Sequence, residues 1–262
     1  MQFGMPTLIE NRTIDECAAL CRNLQLDFIE LSMSLPQYTL DTIDVPHFRD
    51  VAAKYGITYT IHLDENVNVC DFNTYIADAC CRYVTDTIRL AKTLGVSLIN
   101  MHLHRGEHFT LPDGKVELFA LHSAHYKKHI TAFRDLCEET IGDSGILICI
   151  ENCKGFPAFQ QEALQILLES PVFGLTFDIG HDHVCGGVDE PFITANKHRL
   201  HHMHMHDALG RKDHLALGTG EIDIQKYLAL ARAQDCSVVL ETKTIEGLTQ
   251  SVGWMRQNGG MK

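Results

Sequence analysis

The sequence contains no apolar run approaching the roughly 20 residues that a bilayer-spanning helix requires. Its opening, MQFGMPTLIENR, lacks the basic start and apolar core of a secretory signal. Both absences lead us to expect a cytoplasmic protein with no membrane partner. No Pro/Ser-rich linker, charge block or low-complexity tract divides the 262 residues. Ten cysteines are present, but they form no CxxC pair and no secreted-type framework, so buried, reduced thiols are expected. No glycine-rich phosphate turn follows the first strand-like run, where the chain reads LIENRTIDE, which argues against an open dinucleotide-binding sheet. Basic charge is also scarce: 22 Lys and Arg face 34 Asp and Glu, for a net charge of −12. A general nucleic-acid-binding surface would be basic, so nucleic acid is not the partner to expect, whereas acidic clefts attract divalent cations.

What the chain does contain is an alternation of two hydrophobic periods. Short apolar runs begin at Phe3, Leu26, Ile57, Ser97, Ile146, Phe173, Leu200 and Ser237. Between them lie amphipathic segments such as TIDECAALCRNL and HYKKHITAFRDLCEETIG. Thr13 and Glu16 make a capping-box pattern at the start of the first helix, and Gly95 and Gly142 punctuate helix ends. Eight strand–helix units in a chain near the typical barrel length of about 250 residues predict a single (β/α)8 TIM barrel over residues 1–262.

Active sites in such barrels lie at the carboxyl ends of the strands. Here strand three ends in His62, strand four in His102, strand five in Glu151 and strand six in Asp178, with His181 three residues on. Strand seven is the tract HHMHMHD, His201–Asp207, followed in its loop by His214; strand eight ends in Glu241. Alternation places His202, His204 and His206 on one face and His201, Met203 and Met205 on the other. His204 is expected to face the mouth, with His206 and Asp207 at the rim and His198, His201 and His202 structural. A single strand-end His or Glu is ordinary. Six consecutive strands presenting them at the same end are not, and carboxylates gathered in one mouth are costly without a cation.

With its motifs NMHLHRG, IEN, FDIGH, HMHMHDA, DHLALGTGEID and LET in this order, the whole chain resembles the xylose-isomerase-like TIM-barrel superfamily. That superfamily includes sugar epimerases and isomerases, inosose-processing enzymes and apurinic/apyrimidinic endonucleases. The sugar branch implies one divalent metal (Mn, Zn, Co or Mg) held by Glu151, Asp178, His204 and Glu241, with Glu151 and Glu241 also the acid/base pair. His62, His102, His181 and His214 are candidates for further metal or substrate contacts, including a second zinc. The endonuclease branch implies a three-zinc cluster. It would need an aspartate where Lys212 stands, two residues before His214, and Asp213 would point differently.

The expected function is therefore a metal-dependent isomerisation or epimerisation of a ketose, aldose or related polyol ketone through an enediolate. His181 and Arg211 would bind a small carbohydrate substrate. Zinc-dependent cleavage at abasic sites and a non-catalytic metal- or sugar-binding barrel are the alternatives. Phe109 and Leu111 are candidate lid residues, Gly186 and Gly187 candidate hinges, and Trp254 a core or interface residue. The absence of a glycine-rich phosphate cradle favours an unphosphorylated substrate. A homo-oligomer is compatible with the sequence, which marks no interface.

Overall fold

In the computed structural model, which describes residues 1–261, eight parallel strands close into a barrel with helices between them. The last residue of the expected 1–262 span lies outside the described residues. In chain order the barrel strands are Phe3–Pro6, Phe28–Ser32, Thr58–His62, Leu98–His102, Leu147–Glu151, Phe173–Asp178, Leu200–Met205 and Ser237–Leu240. Each strand pairs with its sequence neighbours, and the first pairs with the eighth to close the ring. The expected barrel is thus what the chain forms.

Alternation along the strands explains both the core and the site. Ile29, Leu31, Ile61, Ile99, Met101, Ile148, Ile150 and Phe177 are fully buried beneath the surrounding helices. The opposite face of the same strands lines the barrel interior and is unusually polar. It carries Glu30, Thr60, Asn100, Glu151, Thr176, Asp178, His202 and His204, all buried. At the other end, Phe28 fills space beside Gly4, where a Cβ would sit 2.4 Å from the ring. Close packing of that kind requires glycine, because an added methyl would force a shift of backbone or ring.

Local signals behave largely as their chemistry dictates. The Thr13 hydroxyl accepts the Glu16 N–H at 3.2 Å, while the Glu16 carboxylate accepts from the N–H of Arg12 at 2.7 Å, one residue earlier than a capping box would have it. Gly95 caps the long helix Thr74–Leu94 in the left-handed conformation, φ 76°. The regular alternation breaks at unit six: two short helices, Ile179–Val184 and Glu190–Ala195, replace one long one. Two antiparallel hairpins also rise from the mouth, His108–Leu111 with Gly114–Glu117, and Asp207–Leu209 with Lys212–Leu215. All ten cysteines are free.

Candidate metal centre

The carboxyl ends of the strands converge on one cavity of about 770 Å³. Glu151 and Glu241 line it, and together with the fully buried Asp178 and His204 each offers one donor atom, all four within 4.8 Å of one another. His204 Nδ1 stands 2.9 Å from Glu241 Oε2, 3.3 Å from Glu151 Oε1 and 3.8 Å from Asp178 Oδ2. Around this point His102 Nε2, His181 Nδ1, His204 Nδ1, His214 Nε2 and Glu241 Oε2 are buried without hydrogen-bond partners. Buried polar atoms are nearly always satisfied. Unsatisfied nitrogen and oxygen donors aimed at a common point fit a divalent cation, which would satisfy several at once.

Contacts behind the ring nitrogens set which of them faces inward. His62 Nδ1 donates to the Leu63 carbonyl at 2.7 Å, leaving Nε2 toward Glu151 Oε2 at 3.3 Å. His214 Nδ1 lies against Asp213 Oδ1 at 2.9 Å, leaving Nε2 inward, 3.5 Å from Glu241 Oε1. Glu30 Oε1 lies 2.8 Å from His204 Nε2 as an ion-pair contact outside hydrogen-bond geometry, with Nδ1 at the centre. A carboxylate or carbonyl behind an imidazole in this way fixes its tautomer and raises its basicity as a ligand. Glu30 is itself tied down, its Oε2 meeting the Thr60 hydroxyl and His202 Nε2, both at 3.1 Å.

The carboxylates are held as firmly. Asn100 donates to Glu151 Oε2, and Thr176 donates to Asn100 Oδ1 at 2.6 Å. Asp178 caps the short helix Ile179–Val184 by accepting the His181 N–H at 2.6 Å, so ligand and helix start share one side chain. The other side of Asp178 is occupied by His206, whose Nε2 lies 3.0 Å from Oδ1 and 3.1 Å from Oδ2. His206 Nδ1 accepts the backbone N–H of His214 at 2.8 Å, so its proton is on Nε2 and points at the carboxylate. Its ring stacks on His214 at 4.2 Å and packs over Gly180, where a Cβ would come within 2.0 Å of it.

Charge in the site is balanced by imidazole. Burial pushes Glu151 and Glu241 toward the neutral acid, but His204 and the other surrounding histidines hold both well below the usual carboxylate range. Burial likewise disfavours charge on His62 and His181, yet Glu151 and Asp178 carry them up to about 9 and about 10. Protonated histidines therefore stand in for a cation in the metal-free protein.

The structure brings together His62, His102, Glu151, Asp178, His181, His204, His214 and Glu241, all the expected strand-end and loop residues. Three further groups have three donors within the same spacing: His62, His102 and Glu151; His181, His206 and His214; and the fully buried Glu30, His202 and His204. Arg211, expected to bind substrate, is exposed in the turn of the second hairpin and does not line the cavity. Phe109 and Leu111, at 59% and 51% exposed, turn away from the cavity, whereas His108 and Lys115 of the same hairpin line it. Gly186 and Gly187 both have positive φ, as a tight loop requires. Trp254 packs at Gly218, where a Cβ would meet its ring at 2.2 Å, and lies partly buried against the core. Asp207, expected at the rim, is buried and accepts the N–H groups of Ala208, Gly218, Gly220 and Ile222, pinning the loop that carries His214.

Sequence reasoning missed Glu30, Asn100 and the role of His206. The signal for Glu30 was available, since it is the lone charge inside the apolar strand FIELS.

Known proteins share this architecture. A D-tagatose 3-epimerase-like protein superposes with a TM-score of 0.80 at 21% identity, over 98% of this chain and 96% of that one. A D-allulose 3-epimerase from Methylomonas sp., in complex with D-allulose, gives 0.76 at 14% identity, over 98% and 96%. In sequence, the probable endonuclease 4 of Mycobacterium ulcerans is 27% identical over 124 residues, 45% of this chain and only 39% of that protein. The xylose isomerase-like TIM barrel pattern matches residues 18–258, and with so much of the chain covered, this protein belongs to that family.

Proposed function

We propose that the chain is a divalent-metal-dependent sugar isomerase or epimerase that moves a proton at the carbon next to a carbonyl. One observation carries the reading: Glu151, Asp178, His204 and Glu241 present four donors within 4.8 Å of one another, and two of them, Glu151 and Glu241, line a substrate-sized cavity. Three oxygen donors and one imidazole suit Mn²⁺, Co²⁺, Mg²⁺ or Zn²⁺. When bound, the ion supplies Lewis acidity, polarising substrate oxygens and offsetting charge that develops beside the carbonyl.

The chain's own residues do the rest. Asp178 and His204 hold the site, fixed by His206 and Glu30 behind them. Glu151 and Glu241 enter from the fifth and eighth strands, and both are kept ionised, the form that accepts a proton from carbon. In epimerisation one glutamate takes the proton from carbon, and the other, once it has taken up a proton from water or a substrate hydroxyl, returns it to the opposite face. In isomerisation the proton returns to the neighbouring carbon. General acid–base transfer of this kind contributes about 10²–10⁴ in rate. His181, at the cavity wall, orients substrate hydroxyls. The epimerase-like architecture supports the class of reaction.

A second reading, zinc-dependent hydrolysis of a phosphodiester at abasic sites, is favoured by the extra histidine-containing donor groups. Against it, both ring nitrogens of His206 are already engaged, which leaves only His181 and His214 for a third ion. Elemental analysis of protein purified without chelator, with Glu241→Ala as control, separates the two. One ion per chain, lost in the variant, together with solvent deuterium incorporated into a ketose is the expected result. Two or three zinc ions and no exchange would overturn it and make abasic DNA the next substrate to assay.

A further inference from the structure

The cavity has a second chemical character away from its floor. Between the fourth strand and its hairpin, Arg105 lines the wall, with Lys115 on the hairpin and Lys154 on the loop after the fifth strand. Two of these cations meet one carboxylate there. Arg105 Nη2 and Lys115 Nζ both approach Glu117 Oε1, at 3.4 and 2.9 Å. Arg105 Nη1 reaches the Lys154 backbone carbonyl at a long 3.3 Å, and both residues line the cavity. Lys154 has no carboxylate within 4.0 Å among the described residues. Arg105 Nε and Glu117 Oε2 are both buried without a partner, although each belongs to a residue lining the cavity.

A buried guanidinium N–H without an acceptor is costly. Two long, weak contacts on its other nitrogens leave the fork free to turn toward a better one. The excess of positive charge stands out on a chain of net charge −12. The lining also offers no exposed aromatic ring, histidines apart, on which the C–H face of a neutral sugar would stack: Phe156 is buried.

We propose that the substrate is an anionic carbohydrate, whose carboxylate or phosphate is received by Arg105 and Lys154 while its carbonyl end faces the Glu151–Glu241 floor. The assignment rests on the proposed sugar chemistry for the second half of that statement only. The Arg105 fork suits planar, bidentate recognition of such groups, and Lys154 adds a point charge. Glu117 Oε2 remains free to accept a hydrogen bond from a hydroxyl on the neighbouring carbon of the substrate.

The test uses the metal-loaded protein and a matched set of probes: a neutral ketohexose, the same sugar as its terminal phosphate, and the corresponding sugar acid. Binding is measured by calorimetry at low and high salt, and solvent deuterium incorporation is followed on the same samples. At least one anion should bind about ten- to a hundredfold tighter than the neutral sugar, the range of one or two charge-assisted hydrogen bonds. Which anion does so distinguishes carboxylate from phosphate. Arg105→Gln and Lys154→Gln should each remove most of that preference while the metal content stays unchanged. Neutral sugar binding as tightly as both anions, no measurable binding of either anion, or a preference that both variants retain would each overturn the proposal. Anion binding that depends on Arg105 without any exchange would instead sink the isomerase reading and leave the anion site standing.

Discussion

His206 offers the sharpest perturbation, because the structure gives it two incompatible roles. As one of three donors with His181 and His214, it would be a metal ligand. As the partner of Asp178 and of the His214 N–H, it would position ligands without touching the ion. Removing the ring in His206→Ala deletes a charge-assisted hydrogen bond, worth about 1.5–3 kcal/mol, and orphans a partly buried N–H at a cost of about 1–3 kcal/mol. Loss of the stack at 4.2 Å on His214 adds to this, and such terms overlap, so a total near 2–5 kcal/mol of stability is expected. Freed on one side, Asp178 should let metal affinity fall about 10–100-fold. Glutamine separates the roles: its amide N–H can reach Asp178 and its carbonyl can accept from His214, but it is a poor substitute for an imidazole ligand. In a chelator-competition titration, His206→Gln should recover most of the affinity lost in His206→Ala, with an unchanged number of ions. A folded His206→Ala protein binding metal within about twofold of wild type would refute the positioning argument, and loss of a whole ion in both variants would make His206 a ligand.

Two further outcomes follow from the same network. Glu30→Gln keeps the shape behind His204 but removes the charge that raises its basicity, so metal affinity should drop by about 10–100-fold in the same titration, with little change in fold. The pH dependence of the metal-free protein follows from His62 and His181, raised to about 9 and about 10 against an ordinary value near 6.5. A raised imidazole stabilises the folded chain fully below the unfolded value and loses that contribution as pH climbs through the folded one. The melting temperature of the chelated protein should therefore fall between pH 7 and 10. The metal-loaded protein, which has already released those protons, should stay nearly flat; a flat profile for both would contradict the charge balance described here.

The barrel and the floor of its site were legible because both depend on short-range periodicity. A strand end is a defined position, and alternation sends its last inward residue to the mouth, so His62, His102, Glu151, Asp178 and His204 could be located before any coordinate was known. What periodicity does not encode is which inward residue of one strand meets which of another. Glu30 lies 172 residues from His202 in sequence, and barrel closure alone brings them to 3.1 Å. The hairpins were hidden for a related reason. They begin where regular alternation stops, so Arg211 could be placed near the site in sequence and still end in an exposed turn.

Lys212 shows how far residue type can mislead. Its presence in place of an aspartate suggested an incomplete third ion site. The structure seats an unanticipated histidine, His206, beside His181 and His214, so that by composition the group again has three donors. Yet the hydrogen bond from the His214 backbone consumes His206 Nδ1, and Asp178 consumes Nε2. An imidazole has two nitrogens and no third lone pair to offer. Whether a histidine ligates a metal or orients its ligand is decided by what its second nitrogen touches. Here that contact is made by a backbone N–H held in place by the buried Asp207, which pins the loop through four other N–H groups. The same short segment, HMHD, thus supplies in succession a centre-facing imidazole, a positioning imidazole and the anchor that fixes the difference between them.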